Sequence, residues 1–232
     1  SPTLIWSDQQ YYYGSEISAL TVSPNEDYDT GTVIVEVSPA NHVGDKPDVT
    51  VIPENKTIQI VNEATTGEKG STREVNVNRK RGTNTLVIDG SIPLEGSMTR
   101  VWRSVWEPTN YTLDVFQHAL ASEGVQLIGN SSVFRGEAPA DTTLLAEKSD
   151  VTLADVLIPF MKLSNNGHGE MLTKEMGRVV HDEGSWEEGI QVINSVLDDL
   201  GIDTDTILIR DGSGISDKTL IPAEALTTLL YR

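Results

Sequence analysis

The chain has 232 residues, and its 17 Lys+Arg against 35 Asp+Glu give a formal charge of −18. A field this negative repels phosphate backbones and argues against a general nucleic-acid-binding role. The absence of cysteine removes disulfide scaffolds, zinc ribbons and thiol nucleophiles together, while the 38% hydrophobic content suits a folded chain of one large or two small domains.

No apolar run reaches the ~18 residues of a membrane span. The opening residues SPTLIW carry neither the basic head nor the apolar stretch of a signal peptide, a pattern shared by cytoplasmic chains and by mature secreted ones. Residues 1 to 107 read as strands and turns. β-branched or alternating runs predict strands at 16–22, 32–37, 49–52, 57–61, 74–78, 85–88 and 98–106. Pro47 and Pro53 bracket the third of these and mark it as an edge or a strand end. The segment 62–71 (NEATTGEKGS) is expected to be a polar loop. In 98–106 (MTRVWRSVW), Val101, Arg103 and Val105 should point one way, and Trp102, Ser104 and Trp106 the other.

The period changes after Pro108. Residues 111–123 predict a helix with Val115, Phe116, Ala119 and Leu120 on one face, closed by Gly124. A strand is expected at 125–128, and a linker at 135–141 (RGEAPAD). Beyond it the chain is mainly helical. Thr152 and Asp155 resemble a capping box ahead of the apolar stripe Leu153, Val156, Leu157, Phe160 and Met161, with Pro159 expected to kink that helix. A second helix carries Met171, Leu172, Met176, Val179 and Val180. Ser185 and Glu188 open a third, with Trp186, Ile190, Ile193, Val196, Leu197 and Leu200 inside it and Gly201 closing it. A short strand at 206–209, a tight turn at Asp211-Gly212-Ser213-Gly214 and a last helix after Pro222 complete the chain.

The most informative segment is 160–173, FMKLSNNGHGEMLT. Ser164, Asn165 and Asn166 lie between two apolar helices, and Gly167 follows at once. One reading is a helix-helix turn, since Ser and Asn cap helices and Asn-Gly turns chains. The other is the S-x-N element of penicillin-recognising enzymes, in which a hydroxyl relays a proton and a carboxamide holds a substrate carbonyl. The wider strings 157–166 (LIPFMKLSNN), His168-Gly169-Glu170, Met176-Gly177, 209–216 (IRDGSGIS) with Leu220 and Pro222, and 17–24 (ISALTVSP) with the acidic 25–29 decide between them. Together they resemble the low-molecular-mass class C penicillin-binding proteins, with the Bacillus-type members most similar. These are D-alanyl-D-alanine carboxypeptidases that also act as endopeptidases.

The resemblance implies an α+β chain, with β-rich accessory domains followed by the mainly helical part of a penicillin-recognising transpeptidase-like domain. It implies an outer accessory domain at 1–44 and 91–141, an inner one at 45–90 inserted in it, and a partial catalytic domain at 142–232. Part of the apolar stripe on 153–161 and 186–200 should then lack a partner. Ser164 would pass a proton toward the departing D-Ala nitrogen, and Asn166 would bind the acyl side chain's amide. Asn165 is the variable middle residue, counted with Asn166 on the substrate side. No metal or cofactor is implied. Peptidoglycan stem peptides and β-lactams are the implied partners, with no nucleic acid, and the implied location is extracytoplasmic, at the cell envelope or secreted.

Two of the family's elements have no match. Its nucleophile sits in S-x-x-K, yet every Lys here has a non-Ser residue three positions before it, among them Leu145 before Lys148, Pro159 before Lys162 and Ile215 before Lys218. Its K-[ST]-G or H-[ST]-G strand is also missing, and Lys218-Thr219-Leu220 fails at the third place. The expectation is an internal fragment of a longer enzyme, inactive alone, with the missing parts of its own parent as partners. The alternative is a non-catalytic cell-envelope binding or scaffold module. Ser213 in the DGSG turn and His168 as a general base are weaker candidates. The run His181-Asp182-Glu183 suits a solvated helix end better than a metal site, because adjacent residues diverge. Glycosylation-type sequons begin at Asn55, Asn110 and Asn130, and carry no meaning in a bacterial chain. Trp102 and Trp106 suit a core or inter-domain face better than a platform for stacking sugar rings, and Arg100, Trp102 and Arg103 form a candidate wall-contact patch.

Overall fold

Strand β1 (Thr32–Ser38, TVIVEVS) puts Val33, Val35 and Val37 on one face, where all three are fully buried, and Thr32, Ile34, Glu36 and Ser38 on the other, of which Thr32 and Ile34 are buried. It is followed by β2 (Asp48–Ile52), β3 (Gln59–Asn62), β4 (Thr65–Gly67), β5 (Asn76–Arg79), β6 (Thr85–Asp89), β7 (Ser91–Pro93) and β8 (Thr99–Ser104). The helices are α1 (Pro108–Ser122), α2 (Leu153–Leu163), α3 (Asn166–His181), α4 (Trp186–Asp199) and α5 (Ala223–Tyr231). The structure is a computed structural model that describes residues 4–128, 136–137, 140–149 and 151–232. The sequon at Asn130 and part of the expected 135–141 linker lie outside the described residues.

β1 is the centre of a three-stranded antiparallel sheet of order β2-β1-β8, with Val35 opposite Val51 on one side and Val101 on the other. β2 lies at its edge, between Pro47 and Pro53. A second sheet has the order β3-β6-β5, with β3 parallel and β5 antiparallel to β6. Val33, Val35 and Val37 share one core cluster with Ile58, Ala64, Val77, Leu86, Ile88, Val105 and Tyr111, so the two sheets and α1 close over a common interior. Tyr111 lies at its end and donates its hydroxyl to the Thr32 carbonyl at 3.2 Å. This core draws on residues from both of the stretches expected to be separate accessory units.

Four expectations give way to local chemistry. Residues 16–22 form no strand. Ser18 Oγ donates to the Leu20 carbonyl at 2.9 Å and accepts from the Leu20 N–H at 3.3 Å, so the side chain replaces the ladder. Residues 125–128 are exposed and pair with no strand among the described residues, and Ile128 is almost fully exposed. The expected loop 62–71 contains β4, which pairs with β7, and its Ala64 and Thr66 are buried. The strand expected at 206–209 shrinks to a bridge between Leu208 and Leu220, preceded by a turn of 3-10 helix at Thr204–Thr206.

The helical region starts with the expected capping box. Thr152 accepts from the Asp155 N–H, and Asp155 accepts from the Thr152 N–H at 3.2 Å. α2 stays helical through Pro159 and leaves Leu153, Ile158, Met161 and Leu163 exposed. α3 and α4 approach backbone to backbone. A Cβ at Gly189 would sit 2.0 Å from the Thr173 carbonyl oxygen, and one at Gly177 would sit 2.7 Å from the Gly189 nitrogen. Only glycine permits this approach.

Candidate functional site

The S-N-N tripeptide forms the link between α2 and α3. Ser164 caps the C-terminus of α2 in the left-handed region at φ 54°, and Asn165 is the N-cap of α3. A left-handed conformation costs a non-glycine residue ~1–2 kcal/mol and persists only where its surroundings enforce it. The Ser164 side chain is exposed and makes no hydrogen bond among the described residues.

The enforcement comes from the strand-rich half. Asn165 Oδ1 accepts from the His168 N–H at 3.1 Å, while its Nδ2 donates to Asp29 Oδ1 at 3.1 Å and to the Asp27 carbonyl at 3.4 Å. Asn166 Nδ2 donates to the Tyr13 carbonyl at 3.0 Å, which leaves its Oδ1 without a partner among the described residues. His168 is only 3% exposed, and its Nε2 lies 3.1 Å from the Tyr28 carbonyl. A carbonyl only accepts, so Nε2 carries the proton. Burial lowers the pKa of this imidazole, against the Tyr28 bond and the Asp29 charge that raise it. Burial likewise raises that of the Asp29 carboxyl, partly offset by a hydrogen bond from Asn25.

Beside the loop lies a groove of about 350 Å3, bounded by Tyr12, Asn25, Asp27, Asp29, Trp102, Leu163 and Asn165. Trp102 thus faces this groove. The wall-contact patch is not a set of free cations. Arg100 pairs with Glu36 at 2.6 Å, and Arg103 turns inward, donating to the Val77 carbonyl at 2.8 Å and stacking over Tyr11. Trp106 is exposed, with its backbone N–H held by Asn84 Oδ1 at 2.7 Å.

Behind the loop sits a carboxylate that sequence reading treated only as part of a motif string. Glu170 is 2% exposed and accepts from Trp186 Nε1 and Ser213 Oγ at 2.6 Å each, and from the Gly212 N–H at 3.1 Å. It joins α3, α4 and the DGSG turn. Asp211 organises that turn by accepting from the Gly214 and Ser216 N–H groups at 3.1 and 2.9 Å. The turn lies directly on α3, because a Cβ at Gly212 would meet the Gly169 carbonyl oxygen at 2.2 Å. Ser213 therefore supports the site and is no free nucleophile. The signal available in sequence was the pairing of His-Gly-Glu with Asp-Gly-Ser-Gly, whose glycines and carboxylates complement one another. His181, at the end of α3, pairs with Glu188 at 2.6 Å, and among the described residues no group of three His, Asp or Glu side chains is arranged to hold a metal ion.

The described helices include none long and apolar enough to cross a membrane. A family profile described as the D-Ala-D-Ala carboxypeptidase 3 (S13) family matches residues 1–232. The chain is 37% identical over 226 residues to a D-alanyl-D-alanine carboxypeptidase of Actinomadura sp. (strain R39), covering 96% of this chain and 41% of that protein. It is 24% identical to the penicillin-sensitive carboxypeptidase A of Dictyostelium discoideum, covering 97% of this chain and 43% of that one. The chain thus spans about two-fifths of the length of these curated relatives. Among solved structures, penicillin binding protein 4 from Haemophilus influenzae matches with a TM-score of 0.72 at 18% identity, over 99% of this chain and 49% of that one. A complex of that protein with a β-lactam matches at 0.64 and 21% identity, over 87% of this chain and 46% of that one. These likenesses establish a penicillin-binding-protein fold.

Proposed function

The chain belongs to the D-Ala-D-Ala carboxypeptidase 3 (S13) family, and from that membership we propose that it is the middle of a serine-type carboxypeptidase/endopeptidase that trims peptidoglycan stem peptides. The observation that carries the reading is the exposed Ser164 hydroxyl, held in a left-handed conformation on a loop clamped from behind. In the proposed enzyme, the serine of an S-x-x-K element outside this sequence attacks the carbonyl between two D-alanines. The tetrahedral intermediate collapses to an acyl-enzyme, and the C–N bond to the terminal D-Ala breaks. Ser164 relays a proton to the leaving nitrogen, a step typically worth ~10²–10⁴ in rate. Asn166 offers its Oδ1 to an N–H of the acyl side chain. Water then hydrolyses the ester. A β-lactam follows the same first step and stays attached.

Residues 142–232 would form the helical side of the catalytic unit. The inner accessory domain at 45–90 would lie within the outer one at 1–44 and 91–141. Missing parts of the parent would cover the exposed face of α2, where Met161 is 73% exposed. Because its substrate lies outside the membrane, the enzyme would work at the cell envelope or in the medium. The rival reading, a non-catalytic envelope-binding or scaffold module, rests on the absent S-x-x-K. Fluorescent penicillin separates the two: covalent labelling of the full-length protein supports the enzyme, and a full-length protein that never labels supports the scaffold.

A further inference from the structure

Asn165, which the resemblance counts on the substrate side with Asn166, has both of its amide atoms engaged within the protein. Its two amide atoms face opposite ways, one closing the first turn of α3 and the other reaching Asp29. Asp29 is itself fixed. Its Oδ2 accepts from Asn25 Nδ2 at 3.0 Å, and its backbone N–H donates to Asn25 Oδ1 at 3.3 Å. Asn25 is held in turn by Ser23 Oγ, which donates to Asn25 Oδ1 at 3.0 Å. The Asp29 carbonyl accepts from Thr32 Oγ1 at 2.5 Å, at the first residue of β1. A continuous chain of hydrogen bonds therefore runs from the buried central strand to the residue next to Ser164.

We propose that Asp29 is a positioning residue for the catalytic loop: through Asn165 it fixes the backbone that presents Ser164, and so couples the accessory β-sheet to the proton relay. This rests on the enzymatic reading above. The carboxylate suits the task because it accepts on both oxygens at once, from Asn25 on one and Asn165 on the other. The αL backbone of Ser164 needs such support, since nothing else among the described residues bonds to its side chain.

The test exploits the directions of these bonds. Asn165→Asp keeps the helix cap, because aspartate caps a helix as well as asparagine and its charge suits a helix N-terminus. It also sets a second carboxylate against Asp29 in place of a donor. A merely structural cap would tolerate this change. The positioning role predicts that, in the full-length protein, the rate constant for acylation by fluorescent penicillin falls by about 10- to 100-fold, while non-covalent β-lactam affinity holds. Adding Asp29→Asn restores the bond between positions 29 and 165 with the direction reversed: the introduced amide donates to the introduced carboxylate and still accepts from Asn25, and only the long 3.4 Å bond to the Asp27 carbonyl is lost. The double variant should acylate within about threefold of wild type, a difference of at most about 0.65 kcal/mol. A double variant no faster than Asn165→Asp, or an Asn165→Asp that labels at the wild-type rate, overturns the role. If Asn165→Asp fails to fold, the double variant alone decides: it must fold and label. A wild-type protein that takes no label overturns the enzymatic reading and this role with it, whereas a labelled wild type with unresponsive variants overturns the role alone.

Discussion

The indole N–H of Trp186, at the first turn of α4, donates to Glu170 Oε2 in α3 at 2.6 Å, and the same oxygen accepts from the Gly212 N–H at 3.1 Å. One buried carboxylate thus binds two helices and a turn. Glu170→Ala strands two donors, those of Trp186 and Gly212, and leaves Ser213 only its longer bond to Asp211 Oδ2 at 3.3 Å. Each orphaned donor away from water costs ~1–3 kcal/mol before relaxation, so the variant should lose about 2 kcal/mol or more in denaturant unfolding. A loss below about 1 kcal/mol would contradict this account of the hub.

The α3–α4 contact gives a sharper steric prediction. Gly189→Ala would place a methyl 2.0 Å from the Thr173 carbonyl oxygen, a backbone atom that cannot swing aside. The helices must separate, at an expected cost of about 2–3 kcal/mol. Gly184→Ala, whose Cβ would meet nothing nearer than 3.7 Å, is the matched control and should change stability by less than about 1 kcal/mol. Equal thermal midpoints for the two variants would refute the close-packing argument.

His168 supplies a pH dependence. Its imidazole is buried between the Tyr28 and Phe160 rings, and Nδ1 has no hydrogen-bond partner among the described residues. Burial lowers its pKa below the unfolded value of about 6.5. A lowered folded pKa means that the unfolded chain takes up a proton first, so the stability is complete above about pH 6.5 and is lost as the pH falls toward the lowered value. His168→Gln keeps a donor for the Tyr28 carbonyl and does not titrate. Between about pH 7.5 and 5.5, the wild-type thermal midpoint should therefore fall more than the variant's. Parallel curves would show that His168 does not titrate differently on unfolding.

The sequence disclosed elements wherever side-chain period and capping chemistry are local. The run Thr32–Ser38, the Thr152/Asp155 box and the Ser185/Glu188 cap needed only neighbours three or four residues away, and each forms. It misled where a partner had to be known. Residues 16–22 and 125–128 have strand-like composition but no adjacent strand to bond among the described residues. Residues 62–71 look polar, yet Thr66 is buried because β7 arrives beside it and its hydroxyl accepts from the Ala40 N–H at 2.9 Å. At the proposed site, Ser164 and Asn166 were singled out through the family resemblance of the strings around them, not through their spacing alone. Asp29 was not, because its meaning depends on a contact 136 positions away in the chain.

Ser164 carries the chemical burden of the proposed mechanism. In the full-length protein, Ser164→Ala should lower D-Ala-D-Ala peptidase turnover by about 10²–10⁴. Its thermal midpoint should stay near wild type, because the exposed hydroxyl supports no other group among the described residues. Unchanged turnover would remove Ser164 from the mechanism.

The most direct measurement is covalent labelling with fluorescent penicillin, run in parallel on this 232-residue chain and on the full-length protein that contains it. The account predicts a stable acyl adduct on the full-length protein and none on the chain alone, whose lysines all lack a serine three residues earlier. A stable adduct on the isolated chain, or none on either, would contradict it.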